Sequence, residues 1–317
     1  MKQTLIVIAG PTAAGKSEIA AELARKIGGE VISADSMQVY RHMDIGSAKI
    51  TLEEMLGVPH HMIDAAEPDE SFDVVRYAEM AKKIIAGISG RGHIPILCGG
   101  TGFYIQAVTR DIDFTETGAL PGYREELFEY AGKYGNEALH KRLQEIDQRA
   151  AEEIHPNNLK RVIRALEFYK ETGQRISDHN EAERQKESPY NLIYFVIDEN
   201  RARLYEKIDR RVDFMMEEGL LDEVSYLKAM GLTRQNPSMQ GLGYKEMLDY
   251  LDGITTLEEA VRILKRDTRH YAKRQITWFR REKDTIWIKR EDYGDDALRI
   301  ISHMEKIIEE RRKNDEG

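Results

Sequence analysis

Short apolar runs alternate with helical patterns in the first third of the chain. Apolar residues predict buried strands at Thr4–Ala9, 30–33, 59–63 and 94–98, and another strong strand at 191–197. Between them, apolar residues at helical spacing predict helices at 17–27, from a cap at Ser71 to Ile88, and at 103–108. Because strands that alternate with helices pair in parallel, we predict an α/β fold, a parallel sheet flanked by helices.

A segment without strand signals interrupts this alternation between residues 111 and 189. Apolar residues recur at helical spacing in Tyr123–Tyr134, 138–146 and 159–169. The edges of the segment, 111–120 and 177–189, are polar and are typical of hinges or linkers. We therefore predict a mostly helical insertion domain at 111–189 within a core of 1–110 and 190–317.

Helices are predicted again for most of the chain after residue 200. Thr256 with Glu259 three positions later is a capping-box pattern and predicts the start of a long helix. Residues 285–289 predict a late strand.

A glycine-rich loop follows the first strand directly. It reads Gly10, Pro11, Thr12, Ala13, Ala14, Gly15, Lys16 and Ser17. Glycines let the backbone wrap a polyphosphate, the N–H groups at the start of the next helix point at it, and the lysine adds a positive charge. The strand before the loop and the helix after it favour a phosphate-binding P-loop over an ordinary tight turn, and Ser17 is placed to hold Mg²⁺.

Composition and charge indicate the compartment and the partners of the protein. The single cysteine, Cys98, excludes an intramolecular disulfide and favours a reducing compartment. The first apolar run is too short for a signal peptide or a membrane span, so we expect a cytoplasmic protein without a membrane partner. The net charge of -9 argues against a nucleic-acid partner, but residues 262–283 hold nine Lys or Arg and two acidic residues. This helix face is either a solvated surface or a basic interface.

Two further positions at the predicted strand ends can carry chemistry. Asp35 follows the second strand, where a carboxylate is either a general base beside bound phosphates or a turn residue. Thr101 follows a glycine pair, where its hydroxyl can orient a substrate. A hydrolase or kinase also needs a Mg²⁺-holding Asp after a buried strand, and Asp198 is the candidate for it.

Several motifs together resemble those of bacterial tRNA dimethylallyltransferases, the IPP transferase family. They run from about residue 2 to 288 and comprise the loop Gly10 to Ser17, Ala34-Asp-Ser-Met-Gln-Val-Tyr40, Gly99-Gly-Thr-Gly-Phe-Tyr104, His155-Pro-Asn-Asn-Leu-Lys-Arg161 with Arg164-Ala-Leu-Glu167, Gly241-Leu-Gly-Tyr244 and Lys273-Arg-Gln-Ile-Thr-Trp278. The phosphate loop is shared with many proteins, whereas the Asp-Ser-Met-Gln and Lys-Arg-Gln-Ile-Thr-Trp elements are specific.

The resemblance implies transfer of a dimethylallyl group from dimethylallyl diphosphate to the exocyclic amine of the adenosine beside the anticodon, in tRNAs that read codons beginning with U. Asp35 would be the general base, Thr101 would hold the adenine, and Arg211 would bind the departing diphosphate, with its neighbour Arg210 as a stand-in. Mg²⁺ on Ser17 is the expected cofactor, and a monomer is the expected state.

The resemblance also implies a set of residues that contact tRNA. They are Asp35, Ser36, Met37, Gln38, Thr101, Arg124, Lys160, Arg161, Arg164, Met239, Gly243, Lys245, Lys273 and Arg274. Two alternatives remain: an isopentenyltransferase or kinase acting on free adenine nucleotides, and a noncatalytic RNA-binding protein. The helical insertion argues against the first, and a phosphate loop argues against the second.

Overall fold

The computed structural model describes residues 2–112 and 122–316. In this part of the chain six parallel strands form one sheet in the order β3-β2-β4-β1-β5-β6. The strands are β1 Thr4–Ala9, β2 Gly29–Ser33, β3 His60–His61, β4 Ile94–Gly99, β5 Asn191–Asp198 and β6 Thr285–Lys289. The predicted α/β fold with a parallel sheet is confirmed.

The helices occupy the remaining regular segments. They are α1 Lys16–Ile27, α2 Val74–Gly90, α3 Gly102–Thr109, α4 Tyr123–Tyr134, α5 Asn136–Ile146, α6 Gln148–Glu153, α7 Leu159–Thr172, α8 Ile176–Gln185, α9 Arg201–Glu217, α10 Leu220–Ala229, α11 Tyr244–Leu251, α12 Leu257–Phe279 and α13 Ala297–Glu316. Thr256 caps α12 as predicted, because its side chain accepts a hydrogen bond from the Glu259 N–H.

The chain divides into two compact units. The first consists of Met1–Thr109 and Ser188–Gly317, and the second of Arg110–Glu187. The first unit contains the sheet with α1 to α3 and α9 to α13, and the second contains α4 to α8.

The core of the first unit lies on both faces of the sheet. Leu5 and Val7 point to one face of β1 and Ile6 and Ile8 to the other, and all four side chains are buried. Ile6 and Ile8 belong to a cluster that includes apolar residues of α1 and α13. A strand buried on both faces gives a rigid support for the loop that follows it.

The second unit has its own apolar core. Leu127, Leu139, Leu143, Val162 and Leu166 are buried together at the contacts of α4, α5 and α7. Because the helices of this core bury one apolar face each, the spacing of their apolar residues predicted three of them.

Two local predictions were wrong. Helix α2 is capped by Asp73, whose side chain accepts a hydrogen bond from Arg76 N at 2.9 Å, and not by Ser71. Most of the polar stretch 177–189, predicted as a linker, is helix α8, which buries Glu183. The other predicted linker, 111–120, lies almost entirely outside the described residues. Within the described residues, none of the helices combines the length and apolar character needed to cross a bilayer.

Candidate active site

The predicted site segments follow three neighbouring strands of the sheet. The phosphate loop follows β1, Asp35 follows β2, and Thr101 follows β4. Because the strands are parallel, their carboxyl ends meet at one edge, which is where α/β proteins bind ligands. The fold therefore brings these three segments to one side of the first unit.

The phosphate loop is held open by two glycines in conformations that other residues rarely adopt. Gly10 has φ 152°, and a Cβ there would lie 2.5 Å from the Ile197 carbonyl oxygen. Gly15 has φ 76° and stands directly before the first residue of α1. These positions explain why the pattern requires glycine at both ends of the loop.

Lys16 lies inside the concavity of this loop. Its Nζ donates a hydrogen bond to the Pro11 carbonyl oxygen at 2.6 Å. Burial lowers the pKa of Lys16 to about 8, and the charge of Arg211 acts in the same direction, while Asp35 opposes it. A bound anion would restore the proton affinity of this lysine, which makes Lys16 a suitable partner for a diphosphate.

Asp35 holds the turn that follows β2. Its Oδ1 accepts hydrogen bonds from Met37 N at 2.9 Å and from Gln38 N at 3.4 Å, so it stabilises the turn after β2. Its Oδ2 accepts no hydrogen bond within the described residues. One oxygen therefore holds the turn while the other remains available to accept a proton.

Thr101 ties this turn to the next one. Its Oγ1 accepts a hydrogen bond from Ser36 N at 3.1 Å, and its backbone N–H donates to the Ala34 carbonyl at 3.1 Å. Tyr271 of α12 contacts the same hydroxyl, and burial, with the nearby charge of Asp35, raises the pKa of Tyr271 to about 12. Tyr271 is therefore neutral near pH 7 and can serve as a hydrogen-bond donor.

Gln275 is a residue of the site whose position was not predicted. Its Oε1 accepts a hydrogen bond from Thr12 N at 2.9 Å, and its Nε2 donates to the Gly100 carbonyl at 2.9 Å. The side chain thus joins the phosphate loop to the turn that carries Thr101. Its signal in the sequence is its place in the Lys273 to Trp278 motif, for which the resemblance predicts an RNA contact.

Arg211 lies on α9, near Lys16 and Asp35. Burial lowers the pKa of Arg211, whereas the charges of Asp35 and Glu54 raise it. The charge of Arg211 in turn affects Lys16. The charge of Asp35 acts on both Lys16 and Arg211, so these three residues of the predicted set lie near one another.

The metal prediction depends on Ser17, which is exposed in the first turn of α1. A hydroxyl in this position, next to a phosphate cradle, suits Mg²⁺, which takes few protein ligands and completes its shell with phosphate oxygens and water. Asp198 already accepts a hydrogen bond from Glu199 N at 3.0 Å through Oδ1. Among the described residues, no group of three or more His, Cys, Asp or Glu is arranged to hold a metal ion.

The other residues predicted for tRNA fall into three groups, and the first surrounds the Asp35 turn. The Met37 side chain packs against Gly241, and Gln38 donates from Nε2 to the Ala48 carbonyl at 3.2 Å. Met239 is completely buried, so its side chain belongs to the core in this structure. Gly243 precedes α11, and Lys245 Nζ lies 3.3 Å from Glu246 Oε1.

The second group is the basic face of α12. Lys265 pairs with Asp213 at 2.5 Å and Arg269 pairs with Asp209, so both cations stabilise the contact of α12 with α9. Lys273 and Arg274 are exposed. A cavity of about 450 Å³ lies beside them, and its described lining residues are His270, Lys273, Arg274, Thr277, Trp278 and Arg281.

The third group belongs to the helical second unit. Lys160, Arg161 and Arg164 are exposed along α7. Arg124 forms a two-bond ion pair with buried Glu167, with Nε to Oε1 at 2.8 Å and Nη2 to Oε2 at 2.7 Å. This geometry assigns Arg124 at least a structural role in joining α4 to α7.

Known proteins are similar to this chain over nearly its whole length. The model of the IPP transferase family matches residues 38–282. The tRNA dimethylallyltransferase of Lachnoclostridium phytofermentans is 56% identical over 98% of this chain and 98% of its own length. The tRNA dimethylallyltransferase of Halalkalibacterium halodurans is 48% identical over 99% of this chain and 100% of its own length.

Solved structures of similar proteins share the fold. The full-length tRNA isopentenylpyrophosphate transferase of Bacillus halodurans is 47% identical, covers 100% of both chains and has a TM-score of 0.75. A eukaryotic dimethylallyltransferase described as acting on tRNA is 29% identical, with 98% of this chain and 80% of that chain covered and a TM-score of 0.79. The family predicted from the motifs is confirmed: this chain belongs to the IPP transferase family.

Proposed function

We propose that this protein is a tRNA dimethylallyltransferase. It transfers a dimethylallyl group from dimethylallyl diphosphate to the N6 amine of the adenosine on the 3′ side of the anticodon, in tRNAs that read codons beginning with U, and releases diphosphate. The observation that carries the proposal is the convergence of a phosphate loop, Lys16, Arg211 and Asp35 at one sheet edge. Relatives at 48% and 56% identity that are named tRNA dimethylallyltransferases support it.

In this proposal the phosphate loop binds a leaving group. Negative charge builds on the diphosphate as its bond to the allylic carbon breaks, and cations aimed at that charge stabilise the transition state more than the ground state. Lys16 and Arg211 provide the side-chain cations, and the N–H groups at the start of α1 provide the backbone donors. Neither cation is fully hydrated, so each gains from a bound anion.

Ser17 is the residue that would hold Mg²⁺. The ion would supply further positive charge to the diphosphate oxygens when bound. The exposed position of this hydroxyl at the start of α1 supports the assignment.

Asp35 accepts the proton that the amine loses. The N6 nitrogen forms a bond to the allylic carbon, the bond between that carbon and the diphosphate oxygen breaks, and a proton passes from nitrogen to Asp35 Oδ2. The hydrogen bonds at Oδ1 support this division, because they fix the carboxylate without occupying its second oxygen. General-base catalysis of this kind contributes about 10²–10⁴-fold in rate.

The acceptor must leave its stack in the anticodon loop to reach Asp35. Extruding a base costs roughly a few kcal/mol, which stacking on protein side chains and contacts to the backbone offset. The exposed cations Lys160 and Arg161 of α7 and Lys273 of α12 are suitable for those contacts. Thr101 is proposed to hold the adenine at the turn beside Asp35.

An acceptor assay tests the proposal. The protein is incubated with labelled dimethylallyl diphosphate and Mg²⁺, and with either total tRNA or AMP. We expect label in tRNA, in nucleosides that comigrate with N6-dimethylallyladenosine, and none in AMP. Label in AMP alone would establish the free-nucleotide enzyme instead, and binding without transfer would exclude a prenyltransferase.

A further inference from the structure

A buried arginine contacts the phosphate loop. Arg290 follows β6, two strands away from β1 in the sheet, and only 7% of the residue is exposed. It lies outside the segment 38–282 that the family model matches. A cation in this place must be balanced by neighbours, because burying an unpaired charge is costly.

The guanidinium of Arg290 binds two backbone carbonyls. Nη1 donates to the Ala14 carbonyl oxygen at 3.2 Å, and Nη2 donates to the Asp295 carbonyl oxygen at 3.3 Å. Its Nε is 3.8 Å from Glu199 Oε2 and 3.8 Å from Asp295 Oδ1, too far for a hydrogen bond. Glu199 also pairs with Lys207 and Asp295 with Arg203, so Arg290 shares both carboxylates with other cations. Its directional bonds go to the phosphate loop and to the turn after β6.

The bond to Ala14 has a consequence for the next N–H group. In a planar trans peptide the carbonyl oxygen and the N–H point in opposite directions. The Ala14 oxygen points at Arg290, so the N–H of Gly15 points away from Arg290. In loops of this type the backbone N–H groups face the bound phosphate, so a Gly15 N–H that points away from the guanidinium is free to bind an anion.

The guanidinium is also in close contact with Gly15. A Cβ at Gly15 would lie 2.7 Å from Arg290 Nη1, so the loop and the guanidinium are packed directly on each other. Gly15 already has the left-handed conformation that orients the start of α1. The bond from Arg290 thus holds the Ala14–Gly15 peptide in its orientation.

We propose that Arg290 is a positioning residue that orients the Gly15 N–H towards the diphosphate, an inference that rests on the proposed function. Loss of Arg290 would let this peptide rotate, and the loop would offer one fewer backbone donor to the anion. The effect is specific to the diphosphate ligand, because Arg290 touches neither Asp35 nor the exposed cations proposed to bind tRNA.

Steady-state kinetics of Arg290→Lys and Arg290→Gln test the proposal. We expect the KM for dimethylallyl diphosphate and the inhibition constant of inorganic diphosphate to rise about ten- to hundredfold, as for the loss of one hydrogen bond to a charged group. The KM for tRNA should stay unchanged. Arg299→Gln is the matched control, because Arg299 is an exposed arginine that pairs with Asp296 on the surface.

The outcomes separate this inference from the proposed function. An active parent protein with unchanged diphosphate inhibition in both folded Arg290→Lys and folded Arg290→Gln would overturn the role of Arg290 alone. A parent protein without prenyl transfer would instead overturn the function.

A measurement on the unsubstituted protein does not depend on how the variants fold. The chain has four Ala-Gly peptides, at 9–10, 14–15, 86–87 and 131–132. If alanine is labelled with ¹³C at the carbonyl and glycine with ¹⁵N, an NMR spectrum can be recorded that shows only these four peptides. We expect inorganic diphosphate to move the 14–15 signal and to leave the 86–87 and 131–132 signals in place. A 14–15 signal that does not move would contradict the proposed orientation of the Gly15 N–H.

Discussion

The side-chain oxygen of Gln275 accepts a hydrogen bond from the backbone N–H of Thr12 at 2.9 Å, although the two residues are 263 positions apart. The amide nitrogen of Gln275 binds Gly100 at the same time. A single buried side chain thus sets the spacing between the proposed diphosphate site and the turn that carries Thr101.

Replacing Gln275 by leucine should therefore affect both substrates. The variant leaves the Thr12 N–H and the Gly100 carbonyl without their partner, at about 1–3 kcal/mol for each buried group. We expect a higher KM for dimethylallyl diphosphate together with a lower kcat, measured by initial rates. Gln144→Leu, an exposed glutamine on α5, is the control. Parental kinetics in Gln275→Leu would mean that the spacing is set elsewhere.

Asp35→Asn separates the two roles of Asp35. Asparagine retains a side-chain oxygen for Met37 N and Gln38 N, so the turn persists, but it cannot accept the proton. We expect the single-turnover rate to fall at least about a hundredfold, with tRNA affinity little changed. Asp73→Asn, which alters a similar cap on α2, should keep the parental rate. A normal rate in Asp35→Asn would assign Asp35 to the turn alone.

The affinity for dimethylallyl diphosphate should depend on pH through Lys16. Burial lowers the pKa of Lys16 to about 8, so the free protein loses this charge as the pH rises through that value. Because the anion binds the protonated lysine, the Kd should increase about tenfold per pH unit above the pKa. Lys16→Arg should remove this dependence, and Lys26→Arg should not. A Kd that stays constant to pH 9.5, about one and a half units above the pKa, would contradict the assignment.

The exposed cations of α7 should contribute to tRNA affinity through charge. Arg161→Ala removes one cation from the surface of the second unit. We expect weaker tRNA binding and a salt dependence that is less steep by about one phosphate contact, with no change in dimethylallyl diphosphate affinity. Arg175→Ala is the control on the same unit. An unchanged salt dependence would mean that Arg161 does not touch the RNA backbone.

The stability of the protein in acid should depend on Glu30, which lies at the start of β2. Burial alone would raise the pKa of Glu30, but hydrogen bonds from Arg91, His61 and His93 outweigh it and lower the pKa to about 2. The stability that this carboxylate contributes is present above its unfolded pKa of 4.5 and is lost as the pH falls towards 2.

Urea unfolding across this pH range measures the contribution. Glu30→Gln should be less stable than the parent near pH 7, and the difference should narrow between pH 4.5 and 2. Glu79→Gln, on the exposed side of α2, should follow the parent throughout. A difference that stays constant over this range would exclude Glu30 as the source.

Local patterns predicted the parts of the fold that depend on local sequence. The strands β1, β4 and β5 are apolar runs buried in one sheet, and the phosphate loop has a fixed spacing, so both could be identified in advance. Helix α8 was missed because most of its residues are polar and it contributes few apolar positions to the core. Asp73 and Ser71 are both good caps, and only the observed bond to Arg76 distinguishes them.

Contacts between distant residues could not be predicted in this way. Gln275 and Arg290 reach the phosphate loop from positions more than 260 residues away. The position of β6 in the sheet brings Arg290 to the loop, and helix α12 brings Gln275 to it. The α12 face shows the reverse case, since Lys265 and Arg269 follow a regular charge pattern but pair with α9.

Calorimetric titration with dimethylallyl diphosphate and with ATP, each in the presence of Mg²⁺, tests the central claim most directly. If the phosphate loop binds a leaving group, dimethylallyl diphosphate should bind, and inorganic diphosphate should compete with it. Addition of tRNA should then release one diphosphate for each prenyl group transferred. Tight binding of ATP with cleavage of its terminal phosphate, and no binding of the isoprenoid, would contradict the account.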